Sequence, residues 1–248
     1  MSQPSSTPAD LSPDEYAAEY AASRHRIRSI VEAISADPGT APAVASTVIP
    51  ACPDWSLTNI CSHLAGICRD LVERNNPGDD AQAWVDRQVS ERAGRSLASL
   101  LDEWDEFSPR FETLIAKYPR GFSGLVLDVV AHEHDICGAL GIEGDRTSQG
   151  VRACMLIEAR QILDRDLPAH GLSAARFVAN GEEWLCGSGD IGLTLDLGNS
   201  PHGTWELTRL LGSRRSLAQL RAYPWQGDLD RYLPGIAHME LPTTDLVE

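Results

Sequence analysis

The segment from Gly124 to Gly141 reads as one helix whose apolar stripe is interrupted by charge. Leu125, Val129, Ile136 and Leu140 recur at helical spacing, and Asp128, His132 and Asp135 fall on the same face. Residues four apart on a helix stack one turn above the other, so Asp128 and His132 project together into the place where aliphatic side chains would pack. A carboxylate and an imidazole placed there are costly unless something pairs them. The helix must therefore face a partner that answers this charge. A divalent metal would do so. An ordinary ion pair, or a core histidine bonded to a carbonyl, is the plainer alternative.

A second helix offers a third ligand. Ser56, preceded by the turn-favouring pair Pro53-Asp54, is a fitting N-cap. Leu57, Ile60, Leu64, Ile67 and Leu71 make the stripe that follows, with His63 on it. His63, Asp128 and His132 thus form a set of two imidazoles and one carboxylate with a coordination position left open. Such openness marks catalytic metal sites rather than structural ones. Asp135, one turn beyond His132, either accepts a ring N–H and fixes the orientation of that ligand at the cofactor site or is a polar helix-end residue; the pattern favours neither. Glu133 and His134 point elsewhere by helical phase and are expected in solvent. Trp55 and Trp225 read as packing residues.

The remaining helices follow from their punctuation. Ser12-Pro13-Asp14-Glu15 opens a helix that Asp37-Pro38-Gly39 stops. A loop is expected to about residue 55. Residues 80–93 are ambiguous. A long helical pattern from Leu97 to about Tyr118 contains Pro109, which should kink or interrupt it. A further helix is expected from Ser148 to Leu167, with Val151, Met155, Ile162 and Leu163 inward. After Pro168 the pattern changes. Asn180-Gly181 joins two short strands as a hairpin, Gly192–Leu197 alternates as another strand, and Ser200-Pro201 starts a helix. The expected fold is α+β. A disordered lead-in over 1–11 precedes an up-and-down four-helix bundle over 12–168, with the metal site between facing helices. A small α+β domain over 169–241 and a loose tail complete the chain.

The formal net charge of −15 over 248 residues argues against nucleic acid and anionic membrane surfaces as partners. No stretch is long and apolar enough to span a bilayer. The six cysteines form no Cys-x-x-Cys pair and read as small buried hydrophobes. The N-terminus lacks the features of a signal peptide. A reducing cytoplasm is the expected compartment and small molecules are the expected partners; the oligomeric state is open, a monomer included.

Cys52-Pro-Asp-Trp-Ser56 followed by His63-Leu-Ala-Gly66 resembles the opening motif of the mycothiol-dependent maleylpyruvate isomerase family, a branch of the DinB-like helical bundles. His132-Glu-His-Asp135-Ile136 with Ala139-Leu-Gly141 resembles its second motif. Trp205-Glu-Leu-Thr-Arg209, Gly212-Ser-Arg-Arg-Ser216, Gln219 and Trp225-Gln-Gly-Asp228 resemble its C-terminal domain. The resemblance implies a divalent metal, usually zinc, on His63, Asp128 and His132. It also implies mycothiol or a similar small thiol as cosubstrate, and roles for Arg214 and Arg215 in holding a carboxylate by their forked donors. The family's carboxylate ligand is commonly Glu; here it is Asp128, shorter by one methylene. An activated thiolate could add to a conjugated double bond and leave after rotation, which is isomerisation, or attack an electrophile and stay, which is S-transfer. A bundle that binds a small ligand without turnover is the alternative from another functional class.

Overall fold

The computed structural model of the chain describes residues 7–248. It separates into two compact units, one formed by Ser12–Gly144 with Glu248, the other by Asp145–Val247 with the first eleven residues.

In the Ser12–Gly144 unit, α1 (Pro13–Ile34) starts with the capping box that its sequence announces. Ser12 Oγ accepts from Glu15 N at 3.3 Å while Glu15 Oε2 accepts from Ser12 N at 2.7 Å. The expected loop contains a short helix, α2 (Ala41–Ala45), and an antiparallel ribbon of β1 (Val48–Ile49) and β2 (Cys52–Ser56). Next comes α3 (Leu57–Val72), capped by Ser56. The ambiguous stretch becomes α4 (Ala81–Ser90), with Asp80 as its cap. The next helix, α5 (Leu97–Lys117), runs through Pro109 without interruption. That proline lies on the exposed side, where its missing N–H costs least. After α6 (Pro119–Phe122), α7 (Gly124–Leu140) ends on Gly141 at φ +64°, the left-handed residue from which Ile142 N reaches back to Cys137 O at 2.9 Å.

Helices α1, α3, α5 and α7 make the four-helix bundle. Its neighbours are α1 with α5 and α7, and α3 with α5 and α7; α4 covers the outside of α3. Tyr20, Ile27, Ile60, Leu100, Trp104, Phe111 and Val129 fill the core. The single polar pair among these rings is satisfied, since Trp104 Nε1 donates to Tyr20 OH at 2.8 Å.

In the second unit, α8 (Gln149–Ile157) passes through a π-helical segment (Glu158–Leu163) into α9 (Asp164–Ala169). Met155, Ala159, Leu163 and Leu167 lie four apart, a spacing that overshoots the 3.6-residue turn. The wider π turn absorbs the excess and keeps all four in one core, while Ile162 is only half-buried. Strands β3 (Ala174–Ala179) and β4 (Glu182–Cys186) form the expected hairpin, with Asn180 and Gly181 both at positive φ (53° and 77°). Strand β5 (Ile191–Asp196) pairs parallel to β3, and β6 (Gln226–Gly227) completes the order β4-β3-β5-β6. Helices α10 (Gly203–Leu211), α11 (Leu217–Ala222) and α12 (Leu229–Ile236) follow.

Three boundaries differ from the sequence reading. The helical stretch 149–169 shares a core with Phe177, Trp184 and Leu195 instead of the bundle, so the units divide at 144/145 and not at 168. The expected disordered lead-in lies partly outside the described residues. Within them, Leu11 is buried, Pro8 O accepts from Arg160 at 2.7 Å, and Asp10 pairs with Arg160. The tail beyond Leu241 is tied as well. Leu246 is buried, its carbonyl accepts from Gln219 Nε2 at 2.8 Å, and Asp245 accepts from Ser216. Apolar positions this sparse give no periodicity to read, yet each is held by a polar anchor on a distant helix. No helix among the described residues is long and apolar enough to cross a membrane.

Candidate metal centre

Helices α3 and α7 face each other, and their inward polar residues meet. His63 Nε2 lies 3.4 Å from Asp128 Oδ2, and His132 Nε2 lies 3.5 Å from Asp128 Oδ1. One ligand atom from each of the three falls within 4.8 Å of the other two. Two atoms each about 2.05 Å from a tetrahedral zinc are about 3.3 Å apart, so the spacing across the carboxylate is that of a zinc ligand pair. The two imidazoles are buried, whereas Asp128 is 27 % exposed and opens the set toward solvent. Asp128, short as it is, reaches both rings.

Each imidazole is held from behind through its other nitrogen. His132 Nδ1 is 3.0 Å from Asp135 Oδ2, a fully buried carboxylate that also accepts from Cys52 Sγ at 3.8 Å. His63 Nδ1 is 3.2 Å from Gln88 Oε1 on α4. Each ring thus faces an acceptor at both nitrogens, Asp128 at Nε2 and Gln88 or Asp135 at Nδ1; a cation at Nε2 would leave the ring proton on Nδ1. Burial works against protonation of His63, but the Asp128 charge, the Asp128 hydrogen bond and the Gln88 acceptor outweigh it and raise its pKa above the ordinary 6.5.

The β1–β2 ribbon packs on α3 and α7 and brings Trp55 over the pair of rings. Its centroid is 5.1 Å from that of His63 and 6.1 Å from that of His132, nearly parallel to the latter at 30°. Trp55 therefore forms an aromatic wall of the site, beyond the packing role read from its sequence. Gln88 is the residue that sequence reasoning missed. It sits in the segment whose periodicity was too weak to orient, and its only sequence-level sign is Gly66 on the facing helix. A Cβ at Gly66 would lie 2.7 Å from Gln88 Cβ. Gly66→Ala should accordingly push α4 outward and destabilise the chain by about 1–3 kcal/mol in denaturant unfolding.

Two residues read as solvated are not. Glu133 and His134 are 1 % and 4 % exposed. Helix α7 is packed by α1 as well as α3, and α1 covers the side that carries Glu133. Glu133 accepts from Arg26 Nε at 2.6 Å, from Arg26 Nη2 at 2.9 Å and from Ser23 Oγ at 2.6 Å.

Arg214 and Arg215 lie in the other unit. Both are buried, and Arg215 directs its fork to Glu206 (Nε–Oε1 2.6 Å, Nη2–Oε2 2.9 Å) while packing over Trp205. Arg214 Nη1 donates to Gly212 O at 2.9 Å. A substrate carboxylate at Arg215 would have to compete with that internal bidentate pair. Of the six cysteines, Cys52 is half-buried and the other five are buried, as expected of small apolar residues; burial pushes the Cys61 and Cys68 thiols up to about 12.

Residues 20–122 match the family model described as the mycothiol maleylpyruvate isomerase N-terminal domain. The matched span contains Cys52, Trp55, His63 and Gln88 and ends before Asp128 and His132. No curated protein and no solved structure matches the chain.

Proposed function

From the premise that residues 20–122 carry the N-terminal domain of the mycothiol maleylpyruvate isomerase family, we propose that the chain is a metal-dependent enzyme of small-thiol chemistry. It would act by isomerisation or S-transfer on a small electrophile. The observation that carries this reading is the convergence of His63, Asp128 and His132 at zinc-ligand spacing with one side open.

A divalent cation held there, zinc by the donor set, would supply the positive charge that favours the thiolate of a bound small thiol. The chain's own residues do the rest. With a cation at Nε2, Gln88 and Asp135 would accept the protons that His63 and His132 keep on Nδ1. Asp128 gives the set a single negative charge, so a divalent ion keeps a net positive charge with which to hold a sulfur anion. Trp55 walls one side with an apolar ring, which lowers the local dielectric and strengthens that attraction.

Metal analysis of protein purified without added metal, followed by incubation with mycothiol and maleylpyruvate or an electrophilic acceptor, tests this. A stoichiometric divalent ion with steady turnover is the expected result. A bound ion and bound thiol without turnover would instead make the bundle a ligand-binding module, and no divalent ion at all would remove the basis of the reading.

The raised pKa of His63 gives a pH dependence of defined sign. In the metal-free protein the protonated His63–Asp128 pair stabilises the fold fully below the unfolded imidazole's value, and this is lost as pH rises through the higher folded value. Metal binding must displace that same proton. Apparent zinc affinity should therefore fall on acidification beginning above pH 6.5, by up to about tenfold per pH unit below the folded pKa, in chelator competition at several pH values.

A further inference from the structure

We infer that Gln88 is a positioning residue for His63, and that with Asp135 it holds the two imidazoles of the site electrostatically unequal. The inference rests on the metal reading above. The orientation of the Gln88 carboxamide is set by its far side. Gln88 Nε2 lies 3.0 Å from Asp70 Oδ2, and a carboxylate can only accept, so the NH2 must face Asp70 and the carbonyl must face His63. Asp70 is itself fixed, accepting from Asn75 Nδ2 at 2.9 Å and from Arg87 Nη2 at 3.2 Å. The order therefore runs inward from a surface cation: Arg87 to Asp70, Asp70 to Gln88, Gln88 to the Nδ1 proton of His63.

The fold makes room for this relay. Gln88 is fully buried, Gly66 leaves the gap its side chain occupies, and Arg92 Nη1 donates to Gln88 O at 3.0 Å. The asymmetry with the other ring is chemical. His132 donates to a carboxylate, which enriches its Nε2 as a ligand, whereas His63 donates to a neutral amide and its carboxylate stands one residue further out. A buried carboxylate in place of Gln88 would be the third near the site, after Asp128 and Asp135. It would bind a cation more tightly but weaken the cation's pull on an incoming thiol. Gln88 thus anchors the Nδ1 proton of His63 without adding charge.

The test uses the full chain and two variants. Gln88→Met keeps the shape and removes the acceptor; the double variant Gln88→Glu with Asp70→Asn reverses the relay and puts the charge directly on His63. Zinc affinity by chelator competition should fall about 10- to 100-fold in the first and return to or exceed the starting value in the second. In the metal-free protein below the titration of His63, where both ring nitrogens carry protons, the Nδ1 proton should exchange slowly in the unaltered chain and fast in Gln88→Met. Thermal unfolding identifies a variant that fails to fold, in which case the exchange of the Nδ1 proton in the unaltered chain decides. A folded Gln88→Met with unchanged affinity, or an unaltered chain whose Nδ1 proton exchanges as fast as that of an exposed imidazole, overturns the inference. Should the unaltered chain bind no divalent ion, the metal reading falls, and the exchange measurement still judges Gln88 by itself.

Discussion

Replacing His63 or His132 by Ala should lower zinc affinity by about two to three orders of magnitude. Structural zinc sites with four ligands are worth about 10–16 kcal/mol, or roughly 3–4 kcal/mol for each ligand, and every 1.4 kcal/mol is tenfold. Asp128→Asn tests a different component, since it keeps the shape between the two rings at 3.4 and 3.5 Å but removes the only charge of the ligand set. It should cost at least as much as either imidazole. Asp128→Glu, which keeps the charge and adds one methylene, should retain binding. The same experiment has a second readout. At zinc concentrations about 100-fold above the dissociation constant, the unaltered chain gains about 2.7 kcal/mol of stability, which the Ala variants should lose. Equal melting temperatures with and without zinc in the unaltered chain would contradict a site at these residues.

Arg26→Met, at a residue outside the ligand set, should be strongly destabilising. It leaves the Glu133 carboxylate, 1 % exposed, with Ser23 as its remaining hydrogen-bond donor among the contacts described above. Breaking a buried pair in this way costs about 3–5 kcal/mol, because the charge stays behind without compensation. Arg26 is 29 % exposed, which places the expected loss at the low end, about 3 kcal/mol, or roughly 6–12 °C in melting temperature for a chain of this size. Adding Glu133→Leu should recover part of the loss, since the orphaned charge is then gone. A double variant no better than Arg26→Met would show that packing, and not the buried charge, carries the effect. Glu133 adjoins His132 in sequence, so zinc affinity in Arg26→Met also reports how firmly α1 holds the ligand helix in place.

Much of this architecture could be read from the chain. Ser12, Ser56 and Ser148 announce helix starts by side chains that cap their own backbone, which is local chemistry and needs no tertiary partner. Asn180-Gly181 announces its hairpin for the same reason: the turn demands two residues at positive φ. The inward polar stripe of Asp128 and His132, and the matching position of His63, follow from helical phase alone. So does the reach of Asp135 back to His132, three residues away on one helix.

Other features depended on which faces meet. Helical phase says that Glu133 points away from Asp128; it does not say that α1 waits there with Arg26. Gln88 belongs to a short helix with one buried residue, so no stripe marks its inward side. Trp55 precedes its helix and is aimed by a ribbon that exists only once β1 and β2 pair. The division at 144/145 follows from the packing of the helical stretch 149–169 with the sheet, a choice of partner that an apolar count does not reveal.

The sequence by itself determined which side chains could act as ligands, because ligand type and helical phase are properties of neighbouring residues. Only the tertiary structure decided that they converge, and that His63 is backed by the amide of Gln88 on another helix. Distances between helices, and the tautomer of a ring, are set by partners far away in the chain, and the pattern of one segment carries no record of them.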